Sequence, residues 1–173
     1  GSTLNRYYNP VQTIEGAGCT AELTGLLEGM ELTRRNVLLL VWSEAVLDLP
    51  AFAGLSNAGF TVHSQVFRAS NPTVEQLFET YQTTRDFAPE AVVAVGGGSI
   101  MDVGKSLCCL YGKELSSADA LRRLMEEKNY GRPSARWIGV PTTAGTGSEV
   151  TCWATIWDPA KDAKRSVECR ENY

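Results

Sequence analysis

The sequence predicts an α/β domain, doubly wound around a mostly parallel sheet. Three observations carry that expectation. Short apolar runs alternate with helical stretches along most of the 173 residues. Several runs are continuously apolar, as expected of strands buried on both faces. Two of them open directly into small, glycine-rich loops.

Val37-Leu38-Leu39-Leu40-Val41-Trp42 is the first such run. A helical stretch follows from Glu44 to Asn57, closed by Gly59. Phe60 to Val66 reads as the next strand. It carries His63, the single histidine, which strand alternation makes a wall or surface residue rather than a ligand. Asn71-Pro72-Thr73 starts a helix with Leu77, Phe78 and Tyr81 at helical spacing, and Thr73 is suited to cap it. Ala91 to Val95 is a third buried strand, and a helix from Ser99 to about Leu110 follows its glycines. Leu115 to Tyr130 is a polar helical stretch, and Arg136 to Val140 a fourth strand. Alternation returns from Val150 to Trp157, and the turn Asp158-Pro159-Ala160-Lys161-Asp162 predicts a small β-hairpin. Residues 1–173 are expected to form a single domain of Rossmann-like type.

Composition narrows the function. The chain is 43% hydrophobic and 21% charged, an ordinary globular balance. A net charge of −4 and a pI of about 5.1 give no electrostatic basis for binding nucleic acid. No apolar run approaches a membrane span, and the first residues carry no signal-peptide pattern. The five cysteines, Cys19, Cys108, Cys109, Cys152 and Cys169, form no C-x-x-C pair. Neither a disulfide framework nor a zinc site is expected, and a cytoplasmic location is. The thiols read as small buried hydrophobes.

The first glycine loop is Gly96-Gly97-Gly98-Ser99, leading into a helix. Glycines let a backbone approach a diphosphate with no Cβ in the way. A helix N-terminus supplies unpaired N–H groups and partial positive charge. Two familiar patterns nearly fit and fail. Gly-x-Gly-x-x-Gly needs glycine where Met101 or Asp102 stands. A P-loop needs glycine at Ser99, so Gly104-Lys105-Ser106 matches its end by coincidence, and Lys105 should point away from the loop. Ser99 and Asp102 also read as a capping-box-like pair. The second loop, Pro141-Thr142-Thr143-Ala144-Gly145-Thr146-Gly147-Ser148, offers hydroxyls and glycines without charge, which suits a ribose, a neutral ring or a phosphate edge. It also reads as a plain small-residue turn with self-satisfied hydroxyls.

Together, Gly96-Gly97-Gly98-Ser99-x-x-Asp102-x-x-Lys105 and Pro141-Thr142-Thr143-Ala144-Gly145-Thr146-Gly147-Ser148-Glu149-Val150-Thr151 resemble the iron-containing (group III) alcohol dehydrogenase family. Tyr8-Asn9-Pro10 with Gly16-Ala17-Gly18, and Ser70-Asn71-Pro72-Thr73, extend the resemblance over nearly the whole chain. The hairpin Thr151 to Asp158 is faintly similar to that of phosphonoacetaldehyde reductases of the family. The resemblance implies an N-terminal dinucleotide-binding domain that lacks the family's C-terminal helical domain. That missing domain would hold the divalent metal, iron or zinc. NAD or NADP is the implied cofactor, a small alcohol or aldehyde the substrate of the full enzyme, and a homo-oligomer its assembly.

On this resemblance Gly97, Gly98 and Ser99 meet the pyrophosphate and Asp102 lies near the nicotinamide end. Thr142, Thr143 and Thr146 line the adenine and ribose side. Asn71 matches an adenosine-side asparagine, and Lys164 a lysine that reaches the ribose. Ser43 falls where NAD-preferring members often carry aspartate, with Glu44 beside it as the alternative occupant. Serine there removes the repulsion of a 2′-phosphate, which leaves NADP open. No residue of the chain is expected to act as catalytic acid, base or metal ligand. The alternatives are an enzyme of the glycerol dehydrogenase or dehydroquinate synthase kind, and a stand-alone nucleotide-binding or sensor domain.

Overall fold

The computed structural model of the chain describes residues 9–10, 19–69, 71–127, 133–141 and 155–157. In chain order these contain β1 (Asn9–Pro10), α1 (Cys19–Gly29), β2 (Asn36–Val41), α2 (Pro50–Ala53), β3 (Thr61–Val66), α3 (Val74–Thr84), β4 (Ala91–Gly96), α4 (Gly98–Leu110), α5 (Ala118–Glu127), β5 (Arg136–Pro141) and β6 (Thr155–Trp157). The strands form one sheet in the order β1-β6-β5-β4-β2-β3. Four consecutive members, β5, β4, β2 and the edge strand β3, are parallel, with Val41 opposite Val66 and Val95, and Gly96 opposite Pro141. β6 adds antiparallel to β5, and β1 to β6.

The doubly wound expectation holds, for a reason visible along β2. Leu38 and Leu40 face one apolar cluster, with Val92, Ala94, Trp137 and residues of α3, α4 and α5. Val37, Leu39 and Val41 face the other, with Val93, Ile138, Val140 and residues of α1 and α2. All six residues of β4 are buried. A strand covered on both faces has no reason to alternate, so the apolar runs were sound strand signals.

Other elements depart from expectation. The stretch from Glu44 to Asn57 is not one helix. A 3-10 turn, Glu44–Asp48, ends at Leu49, which is extended at φ −69°, ψ 140°. Pro50 then begins the four-residue α2. Proline lacks an N–H to donate backward and disfavours helical geometry in the residue before it, which breaks the helix there. α1 was not singled out by patterning, although Leu23, Leu27 and Met30 are buried at helical spacing. Of the predicted hairpin, only β6 lies within the described residues, and there its neighbours are β5 and β1. Cys109 is disulfide-bonded, against the expectation of reduced thiols. Cys108 is free and fully buried, and burial pushes its thiol far above the usual range, so it is inert packing. No described helix is long and apolar enough to cross a membrane.

Thr73 caps α3 as expected. Its hydroxyl accepts from the Gln76 N–H at 3.1 Å, and the Gln76 side chain accepts from the Thr73 N–H at 2.9 Å. At the opposite sheet edge, a turn with Glu31 and Arg35 at positive φ leads into β2. The Glu90 carboxylate holds that turn, accepting from the N–H and hydroxyl of Thr33 and the N–H groups of Arg34 and Asn36. Burial raises the Glu90 pKa, but those hydrogen bonds outweigh it and leave the carboxyl below the usual 4.5.

Thr73→Ala is expected to cost about 1 kcal/mol, read as a lowered urea midpoint at unchanged slope. Because the folded Glu90 pKa is depressed, its contribution is fully present above the unfolded value and lost as pH falls through the folded one. The stability gap between wild type and Glu90→Gln should therefore be level above about pH 5 and shrink below about pH 4 in acid titrations of unfolding.

Candidate functional site

The strand order places a topological switch point between β2 and β4. From β2 the chain steps outward to β3, returns past β2 to β4, and continues to β5 on the other side. In open α/β sheets, ligands bind in the crevice beyond the carboxyl ends of strands at such a point. Ser43 and Gly97 stand there, each two residues beyond the paired Val41 and Val95. Trp42 bridges the two loops, since a Cβ on Gly96 would lie 3.4 Å from its ring.

Each glycine of the first loop does something different. Gly96 adopts φ +150°, and a Cβ there would come within 2.6 Å of Ile100 Cγ2. Only glycine makes this turn out of a fully buried strand. Gly97 and Gly98 have ordinary geometry, and a Cβ on either would meet none of the described residues within 4 Å. Gly97 is the N-cap of α4 with no side-chain cap, which corrects the capping-box reading of Ser99 and Asp102. Ser99 already lies within the helix. The helix thus begins on glycine backbone, and no side chain of its N-cap residue bonds the N–H groups of the first turn.

Gly104 is the residue whose role sequence reading missed. A Cβ there would stand 2.9 Å from Ala94 Cβ and 3.1 Å from Trp137 Nε1. Its hydrogen is what lets α4 lie close on β4 and β5, the task given to the third glycine of dinucleotide folds. The signal was present in the sequence but looked like the tail of a failed P-loop. Lys105 does point away from the loop: it is 1% exposed, with Nζ 5.7 Å from the Trp137 ring centroid.

Asp102, in the second turn of α4, is half-buried, and no hydrogen bond from a described residue holds its carboxylate. Burial pushes that carboxyl above the usual aspartate range, and the nearby Lys105 charge opposes the rise. Ser43 is half-buried, and its Oγ accepts from the Ala45 N–H at 3.3 Å, capping the 3-10 turn. Glu44 beside it is exposed. Asn71 is exposed on the loop leaving β3. Parallel register thus brings the loops of Ser43 and Asn71, and Gly97 with the first two turns of α4 that carry Gly98, Ser99 and Asp102, to one edge of the sheet. Pro141 ends β5 at the same edge, opposite Gly96. Thr142, Thr143, Thr146 and Lys164 lie outside the described residues. His63 is half-buried on β3, its ring centroid 5.1 Å from that of Phe87, as a wall residue. Among the described residues no three His, Cys, Asp or Glu side chains gather to hold a metal ion, so no metal chemistry is assigned to them.

Comparison with known proteins finds relatives in sequence and in fold. The model of the family described as "Iron-containing alcohol dehydrogenase" matches residues 10–173. A phosphonoacetaldehyde reductase of Streptomyces viridochromogenes is 30% identical over 157 residues, covering 88% of this chain and 40% of that protein. An NADPH-dependent butanol dehydrogenase of Clostridium saccharobutylicum is 29% identical over 110 residues, covering 64% of this chain and 28% of that protein. Among solved structures, an iron-containing alcohol dehydrogenase of Thermococcus thioreducens superposes with a TM-score of 0.56 at 25% identity, covering 83% of this chain and 41% of that one. The chain spans less than half the length of these relatives.

Gly96→Ala and Gly104→Ala should each destabilise by about 1–3 kcal/mol, through the strained turn and the overpacked helix respectively. Gly97→Ala should change stability by less than about 0.5 kcal/mol, because its Cβ meets none of the described residues. Denaturant midpoints of the three variants check this ranking.

Proposed function

The chain belongs to the iron-containing alcohol dehydrogenase family, and we propose that it is the part of such an oxidoreductase that binds a nicotinamide dinucleotide. The observation that carries this reading is the start of α4 at the switch point on two glycines, neither of whose Cβ positions meets a described residue within 4 Å. A diphosphate fits that place, being an anion that needs N–H donors and close backbone approach. When bound, the cofactor supplies a hydride carrier at nicotinamide C4.

The residues then divide by position. Backbone N–H groups of Gly97, Gly98 and Ser99 hold the pyrophosphate. Asp102, one turn further along α4, borders the nicotinamide end and orients the ring. Ser43, beyond β2, meets the ribose 2′ position, and Asn71 the adenosine side. Thr142, Thr143, Thr146 and Lys164 complete the adenine and ribose contacts. The substrate is a small primary alcohol or aldehyde. The metal that polarises its oxygen belongs to a further domain of the full enzyme. The relatives named for NADPH-dependent butanol oxidoreduction and phosphonoacetaldehyde reduction support this class of chemistry.

Ser43 sets the cofactor preference in this reading. An uncharged side chain that also caps a turn does not repel a 2′-phosphate. Calorimetric titration with NADH and NADPH should show binding of both by wild type. Ser43→Asp should weaken NADPH by roughly tenfold or more relative to NADH, a difference of about 1.4 kcal/mol. Gly97→Ala should weaken both dinucleotides while leaving stability intact. Failure of wild type to bind either one would overturn the reading, and an unchanged preference in Ser43→Asp would remove Ser43 from it.

A further inference from the structure

We propose that Trp137 is a positioning residue for the diphosphate cradle, its indole N–H fixing the first turn of α4 through the Met101 carbonyl. The proposal rests on the dinucleotide reading above and adds a residue to it. The chain of contacts is short. Trp137 Nε1 donates to Met101 O at 3.2 Å, and the Met101 N–H donates to Gly97 O at 3.2 Å. One residue, Met101, therefore links the indole on β5 to Gly97, the residue that caps the cradle.

The cradle needs such a restraint. Gly97 and Gly98 have no side chains, and Gly97 caps α4 without a side-chain bond. Glycines lose more conformational freedom on ordering than other residues, so a diphosphate binding there would bear that cost unless the turn were already held. On one side Ile100 anchors the turn by burial. On the other, the indole N–H anchors it by direction.

Two further glycines accommodate the indole. A Cβ on Gly104 would press on Nε1 and Cδ1 at 3.1 and 3.4 Å, and one on Gly139 would lie 2.6 Å from Cζ2. Met101 Sδ borders the same gap, 3.1 Å from the Gly139 Cβ position. Filling this space requires only an apolar group of indole size. The feature an apolar ring lacks is a donor, and a buried indole N–H is directed by the need for an acceptor. Here the acceptor is the carbonyl of Met101, the residue whose N–H donates to Gly97 O.

The test uses the intact protein with ADP-ribose, NADH and adenosine as calorimetric probes, comparing wild type with Trp137→Phe. Phenylalanine keeps an aromatic ring and deletes the donor. ADP-ribose and NADH are expected to weaken roughly fivefold to tenfold, with adenosine unchanged, because only the first two place a diphosphate on the held turn. Leu107→Ala, a cavity variant in the middle of α4, should lower stability without changing the ratio of ADP-ribose to adenosine affinity. Equal affinity of Trp137→Phe for ADP-ribose, or a proportional loss of adenosine, would overturn the proposal and leave Trp137 as packing. Absence of ADP-ribose and NADH binding by wild type would instead remove the dinucleotide reading, and this proposal with it. Should Trp137→Phe fail to fold, amide exchange of ligand-free wild type decides: the Met101 amide should exchange as slowly as that of Leu107, and fraying-type fast exchange there would overturn the proposal.

Discussion

The closeness of α4 to the centre of the sheet governs the carboxyl edge. Gly104 brings the helix against Ala94 with less room than one Cβ would need. That approach draws the helix start back over the end of β4, so the chain must reverse at Gly96 in a conformation that side chains rarely adopt. A larger residue at Gly104 would lift the helix, open the reversal and swing the N-terminal turn away from the crevice. Stability and ligand geometry are thus two readings of one packing distance.

That distance matters because of where β4 lies. It is buried on both faces in the middle of the sheet, between β2 and β5. The loop that leaves it opens where the strand order reverses, with Ser43 on one side and Pro141 on the other. A fully apolar strand cannot carry polar groups for a ligand. The polar functions are accordingly displaced to the first residues past its end, where the backbone itself supplies donors. Asp102 fits the same logic one turn later: half-buried and raised in pKa by that burial, it borders the crevice without lying in open solvent.

Much of this was legible in the chain. Strands buried on both faces announce themselves as apolar runs, and the Thr73 cap is written as a Thr followed three residues later by Gln76. The glycine loop stood out because three glycines in succession directly follow a continuously apolar strand. Errors arose where a local rule met a stronger one. Helical periodicity after β2 yielded to Pro50, whose ring overrules spacing. Ser99 and Asp102 were spaced as a capping pair, yet the cap fell two residues earlier, at Gly97, because the helix begins as soon as the Gly96 reversal is complete. Sulfur pairing depends on three-dimensional proximity, which spacing along the chain does not encode, and Cys109 was accordingly misjudged.

By itself the sequence determined the layered α/β architecture and the identity of the glycine loop, since both follow from hydrophobic patterning and residue size, which are local properties. Tertiary structure decided which glycine bears which duty. Gly96, Gly97 and Gly104 look alike in one dimension, and only their neighbours across space distinguish a strained turn, an open approach and a packed contact. Trp137 shows the same division. It lies 36 residues from Met101 in the chain, and its role arises only when the sheet lays β5 beneath α4.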